Sequence, residues 1–85
     1  MLKVSVISPE QTLFEGEAES VVAPAFDGSL GILAGHAPMV TLLGKGELRL
    51  DGRTLPGSRR FQVEGGFLQV ADDHVRIVTE QATAA

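Results

Sequence analysis

The chain has 85 residues, 44% hydrophobic and 21% charged, with a formal net charge of −4 and no cysteine. That length supports one domain with one modest core, and the composition excludes a disordered or fibrous class. Without cysteine there is no disulfide or thiolate zinc site. Arg59-Arg60 is the only adjacent basic pair and Trp and Tyr are absent, which argues against nucleic-acid binding.

The opening M-L-K-V-S-V carries no secretory signal pattern, and no window has the roughly 18 apolar residues of a membrane-spanning helix. Leu2, Val4 and Val6 alternate with Lys3 and Ser5, the period-2 pattern of a half-buried strand over Leu2 to Ile7. Ser8 to Gln11 reads as a turn. A longer run from Thr12 to Ala23 is expected to place Phe14, Ala18 and Val22 on one face and Glu15, Glu17 and Glu19 on a solvated, edge-protecting face.

Asp27 to Pro38, D-G-S-L-G-I-L-A-G-H-A-P, has three glycines, a proline and His36 around a short apolar run. Its composition predicts a shaped surface loop, because glycine permits positive φ and Pro38 biases Ala37 toward an extended form. Met39 to Leu43 reads as either a strand or a buried loop. Glu47 to Asp51 alternates cleanly, and Asp51-Gly52 predicts a tight turn with positive φ. Arg60 to Glu64 forms the next strand, Gly65-Gly66 interrupts it, and Phe67, Leu68 and Val70 resume it. Asp72-Asp73 turns the chain into a closing strand around Val75 and Ile77, and Glu80 to Ala85 is expected to fray. With no sustained helical period, these short strands predict an all-β, antiparallel β-sandwich or flattened barrel.

Catalytic devices are poorly supplied. His36 and His74 have no recognisable nucleophile elbow near them. Gly44-Lys45-Gly46 lacks the remainder of a phosphate loop. Asp72, Asp73 and His74 are consecutive, so alternation on a strand sends them apart rather than onto one metal ion. Glu15, Glu17 and Glu19 have no opposed proton donor in an apolar pocket. No catalytic residue, cofactor or metal is assigned.

The Asp27 to Pro38 stretch nevertheless closely resembles the signature of the epsilon subunit of F-type ATP synthases. The segments L-K-V-S-V-I-S-P-E at Leu2 to Glu10, L-F-E-G-E-A-E-S-V at Leu13 to Val21, G-E-L-R-L at Gly46 to Leu50 and F-Q-V-E-G-G-F-L-Q-V at Phe61 to Val70 fall in the same order as in that family. The resemblance covers essentially the whole chain. It implies a single ten-stranded antiparallel β-sandwich over residues 1–85, built of two five-stranded sheets.

The resemblance also implies a non-catalytic central-stalk subunit of the proton-translocating synthase, coupling c-ring rotation to gamma and the catalytic head. The c-ring face is then expected at Ser29, Leu30, Gly35, His36 and Ala37, and the gamma face at Ser8, Val40, Thr41 and Leu42. Ser29 stands where relatives often have an acid, so a hydroxyl or backbone contact is expected there in place of an ion pair. The location implied is peripheral, on the cytoplasmic side of an energy-transducing membrane, through the complex and without direct insertion. The family's C-terminal helical hairpin is expected to be absent, and with it inhibition of hydrolysis. The alternative is a free-standing β-sandwich module that binds a peptide or small ligand.

Overall fold

The computed structural model describes residues 1–52 and 59–84. Among them are eight strands and no helix: β1 Leu2–Ile7, β2 Thr12–Ala18, β3 Ser20–Ala25, β4 Gly28–Leu33, β5 Met39–Leu42, β6 Lys45–Asp51, β7 Arg59–Ala71 and β8 His74–Ala84. They form one continuous sheet in the order β2-β1-β8-β7-β6-β3-β4, with β5 also paired to β7.

Alternation decides how that sheet folds. Leu2, Val4 and Val6 of β1, Val21 and Ala23 of β3, Leu48 and Leu50 of β6, Phe61, Val63, Leu68 and Val70 of β7, and Val75 and Ile77 of β8 are all buried in a single cluster. A sheet that buries one face everywhere into one core must fold over on itself, giving two layers about 10 Å apart. The shortest dimension of the molecule, 21 Å, accommodates two such layers with their outward side chains.

The fold-over runs through the glycines expected to interrupt a strand. β7 does not end at Gly65-Gly66. It pairs with β6 over Arg59 to Glu64 and with β5 over Phe67 to Val70, with Leu43-Gly44 opposite the two glycines. Backbone bonds Leu43 N–H to Gly66 O (3.0 Å) and Gly65 N–H to Gly44 O (3.3 Å) carry the ladder round the corner. Gly66 has φ +101°, and a Cβ on it would lie 2.8 Å from the Thr79 Cα, so only glycine fits. Thr79 is the buried polar residue of this corner, and its hydroxyl donates to the Gln81 carbonyl at 2.8 Å.

Because β7 and β8 each pass through both layers, each layer has five strand segments although the chain has eight strands among its described residues. The expected two five-stranded layers are thus present, but as one bent sheet. Not every pairing is antiparallel: β1 lies parallel to β8, with Lys3 beside His74 and Ile7 beside Val78. The tail expected to fray from Glu80 to Ala85 is instead strand as far as Ala84, with Gln81 to Ala84 paired to Phe61 to Glu64, and Ala85 lies outside the described residues.

Thr12 to Ala23 is two strands rather than one. The chain changes layer at Glu19, whose N–H bonds the Asp51 carbonyl at 2.7 Å, and the inward set shifts by one residue. Ala18, Val21 and Ala23 are therefore buried while Val22 turns outward and is half-buried. Gly52 serves this crossing and has no positive φ: a Cβ there would lie 3.1 Å from the Glu19 nitrogen. Residues 53–58, which follow the expected Asp51-Gly52 turn, lie outside the described residues.

Candidate docking surfaces

The layer β2-β1-β8-β7-β5 presents its outward residues in rows set by register. One row runs Thr12, Ile7, Val78, Phe67, Leu42 across five strands. The next runs Glu15, Ser5, Arg76, Gln69, Val40, and the third Glu17, Lys3, His74, Ala71. Charge is thus concentrated in the second and third rows, and the first is apolar from Ile7 to Leu42.

Phe26 extends this row, since its N–H bonds the Leu42 carbonyl at 3.2 Å. Phe26, Val40 and Leu42 are 68%, 67% and 62% exposed, and Phe67 36%. A contiguous exposed apolar patch of this kind marks an interaction surface, whereas scattered single residues do not.

The residues expected to face gamma divide on this surface. Val40 and Leu42 point outward, while Thr41, on the opposite parity, is half-buried. Ser8 is buried, and its hydroxyl closes the β1–β2 turn against the Gln11 carbonyl (3.2 Å) and N–H (3.4 Å). Its neighbour Ile7, not Ser8, carries the outward side chain. The register brings Ile7 and Leu42 into one row, three strand spacings or about 14 Å apart. Ile7, Phe26, Phe67 and Val78 were not singled out in the sequence. Strand parity held part of the signal: Phe67 and Leu68 are consecutive apolar residues, so one of them must face outward.

The residues expected to face the c-ring lie at two separate places. Asp27 to Pro38 is not a loop but the edge strand β4 with a turn at each end. Ser29 is exposed beside Pro24 near the start of β4, and Leu30 packs half-buried on the core. Gly35, His36 and Ala37 follow the far end of the strand, on the order of 15 Å away by strand rise.

There Gly35 adopts φ +84° and donates its N–H to Asp73 Oδ1 at 2.7 Å. His36 N–H bonds the Leu33 carbonyl at 3.2 Å, and His36 Nδ1 lies 2.7 Å from the Ala37 carbonyl. A carbonyl only accepts, so Nδ1 carries the proton and Nε2 is the ring atom left for a partner. From Gly28 to Gly44 the sequence has no Asp, Glu, Lys or Arg. β4, its turn and β5 therefore bring no charged side chain of their own to a docking surface, and the formal charge that meets the turn is the Asp73 carboxylate at Gly35.

The remaining chemistry-bearing residues do not assemble. Asp72 and Asp73, at φ +50° and +59°, form the two-residue turn between β7 and β8. His74 starts β8 on the outward face with its Nε2 3.4 Å from Ser5 Oγ, in a groove also lined by Lys3, Glu15 and Glu17. Among the described residues no group of three His, Cys, Asp or Glu side chains is placed to hold a metal ion. Lys45, in the partial phosphate-loop pattern, pairs with Glu64 across the β6–β7 ladder at 3.7 Å.

Comparison with known proteins is consistent over the whole chain. The family described as the β-sandwich domain of the ATP synthase delta/epsilon chain matches residues 1–85. The ATP synthase epsilon chain of Rhodopirellula baltica is 46% identical over 81 residues, covering 95% of this chain and 62% of its own length. That of Leptospira borgpetersenii is 48% identical, covering 93% and 61%. The chain spans about three fifths of these relatives. The epsilon chain of Caulobacter vibrioides, 39% identical, is covered over 95% of its own length and 99% of this chain. Among solved structures, a chain of the Euglena gracilis mitochondrial ATP synthase superposes with a TM-score of 0.88 at 24% identity. That superposition covers 98% of this chain and 52% of the other, and shows the shared fold.

Proposed function

The chain belongs to the ATP synthase delta/epsilon chain β-sandwich family, and on that premise we propose that it is a central-stalk subunit whose work is mechanical coupling, with no chemistry of its own. Residues 1–85 act as one β-sandwich unit. The apolar row from Ile7 to Leu42, with Phe26 and Val40, seats on gamma. The uncharged turn at Gly35, His36 and Ala37 meets the polar loops of the c-ring, with Ser29 and Leu30 contributing from the other end of β4. The subunit is held at the cytoplasmic side of the energy-transducing membrane through the complex; among the described residues no helix is long and apolar enough to cross a membrane.

The observation that carries this reading is the coexistence, in one small rigid sandwich, of an exposed apolar row on one layer and a separate uncharged turn beyond β4. A subunit that transmits torque needs two interfaces on a scaffold that does not deform between them, and a bent sheet with one shared core supplies it. The test is co-elution of the chain with gamma at micromolar concentration on a sizing column. A stable complex supports the reading. Separate elution, together with a saturable thermal shift from a peptide or small ligand, would make the chain a free-standing binding module instead.

A further inference from the structure

We propose that Asp73 is the positioning residue of the Leu33 to Pro38 turn, holding it in one conformation so that His36 is presented ready-formed to a docking partner. The proposal rests on the reading of this turn as the ring-facing surface and names what sets its shape.

Two of the turn's hydrogen bonds are internal, His36 N–H to Leu33 O and His36 Nδ1–H to Ala37 O. Leu33 itself belongs to β4 and is paired with Ser20 of β3; beyond it, between Ala34 and Pro38, Gly35 N–H to Asp73 Oδ1 at 2.7 Å is the hydrogen bond among the described residues that ties the turn to another element, across 38 positions of sequence. The Asp73 end of that bond is itself fixed. Asp73 sits at φ +59° in the β7–β8 turn, and its carbonyl accepts the Lys3 N–H at 2.8 Å. One residue therefore joins the start of β1, the β7–β8 turn and the β4–β5 turn. The Gly35 end has no crowding, with nothing within 4 Å of a Cβ built there, so its glycine is required by φ +84° and not by space. A segment of Gly, Ala and His held by internal bonds alone samples many shapes, and ordering it on binding weakens affinity. A charge-assisted bond to its central amide removes that loss beforehand.

The experiment uses the full chain and two substitutions. Asp73→Gly keeps the left-handed backbone and deletes the carboxylate, and Asp73→Asn keeps both the backbone preference and an acceptor oxygen. Amide exchange at Gly35 is followed by NMR, and affinity is measured for a detergent-solubilised c-ring of the same synthase. In Asp73→Gly, Gly35 is expected to exchange about tenfold faster and ring affinity to fall about three- to tenfold; Asp73→Asn is expected to restore most of both. Gly35 exchange within twofold of the parent in Asp73→Gly overturns the clasp. Faster exchange with unchanged affinity overturns its role in docking. Failure of the parent chain itself to bind the ring overturns the ring-facing reading, and the exchange measurement still decides whether Asp73 holds the turn.

Discussion

Leu42 and Phe67 stand opposite each other across the β5–β7 ladder with both side chains turned to solvent. An apolar cross-strand pair stabilises a sheet, but one left uncovered beside Phe26 and Val40 gains far more when a partner excludes water from it. Leu42→Asp is expected to weaken binding to gamma by about 2 kcal/mol or more, as at an interface hot spot, while leaving the melting temperature nearly unchanged. Titration calorimetry against gamma and a thermal melt of the free chain separate the two effects. Parent-like affinity in this variant would remove the apolar row from the interface.

The fold-over corner depends on glycine for a steric reason. Gly66→Ala adds a Cβ 2.8 Å from the Thr79 Cα at φ +101° and presses it against the Val78 carbonyl, none of which is a flexible side-chain end. A loss of about 3 kcal/mol or more is expected, large for a domain of this size. Gly31→Ala is the internal control. Its site has no atom within 4 Å and no positive φ, so the change should be neutral or stabilise by about 0.5 kcal/mol. Denaturant unfolding of the two variants in parallel distinguishes corner glycine from strand glycine.

Arg59 closes the sandwich edge through its face contacts. Its guanidinium carbon lies 5.4 Å from the Phe14 centroid and 5.5 Å from that of Phe61, so one cation bridges β2 and β7. Arg59→Ala is expected to cost about 1 kcal/mol, and a double-mutant cycle with Phe14→Leu to show coupling of about 0.5 kcal/mol. Additive single effects would show that the stacking contributes nothing.

The hydrogen bond from His36 to the Ala37 carbonyl fixes a tautomer that spectroscopy reads directly. In the neutral ring the proton is expected on Nδ1, with Nε2 unprotonated and accepting. Long-range nitrogen–carbon-bound-proton correlations of the neutral imidazole report which nitrogen carries it. A ring protonated on Nε2 would refute this geometry and require a different face toward the partner.

Where a signal was local, the sequence was sufficient. Alternation marked the buried sets of β1, β6 and β8, and Asp72-Asp73 marked a turn that the backbone adopts with both residues at positive φ. What the sequence concealed was non-local. Val22 looks inward by counting from Phe14, and faces outward only because the chain changes layer at Glu19. Gly65-Gly66 looks like an end, but the ladder bends there because Leu43-Gly44 pairs with it. Likewise Ser8, expected on the gamma face from the family resemblance, has its hydroxyl spent on Gln11, and the outward side chains are those of half-buried Ile7 and of Phe67, which join one row through Val78. Single-residue periodicity carries no register, and register is what assembles the row.

The place of β8 also has a consequence for how the molecule comes into being. β1 has two ladder partners, its hairpin mate β2 and the last strand, so the β1–β2 hairpin has no backbone connection to β7 until β8 slots between them. Val4 and Val6, buried in the folded domain, therefore reach their full cover only once β8 is in place. Closure of the core is therefore a long-range event, and a domain dominated by such pairings is expected to fold slowly for its size.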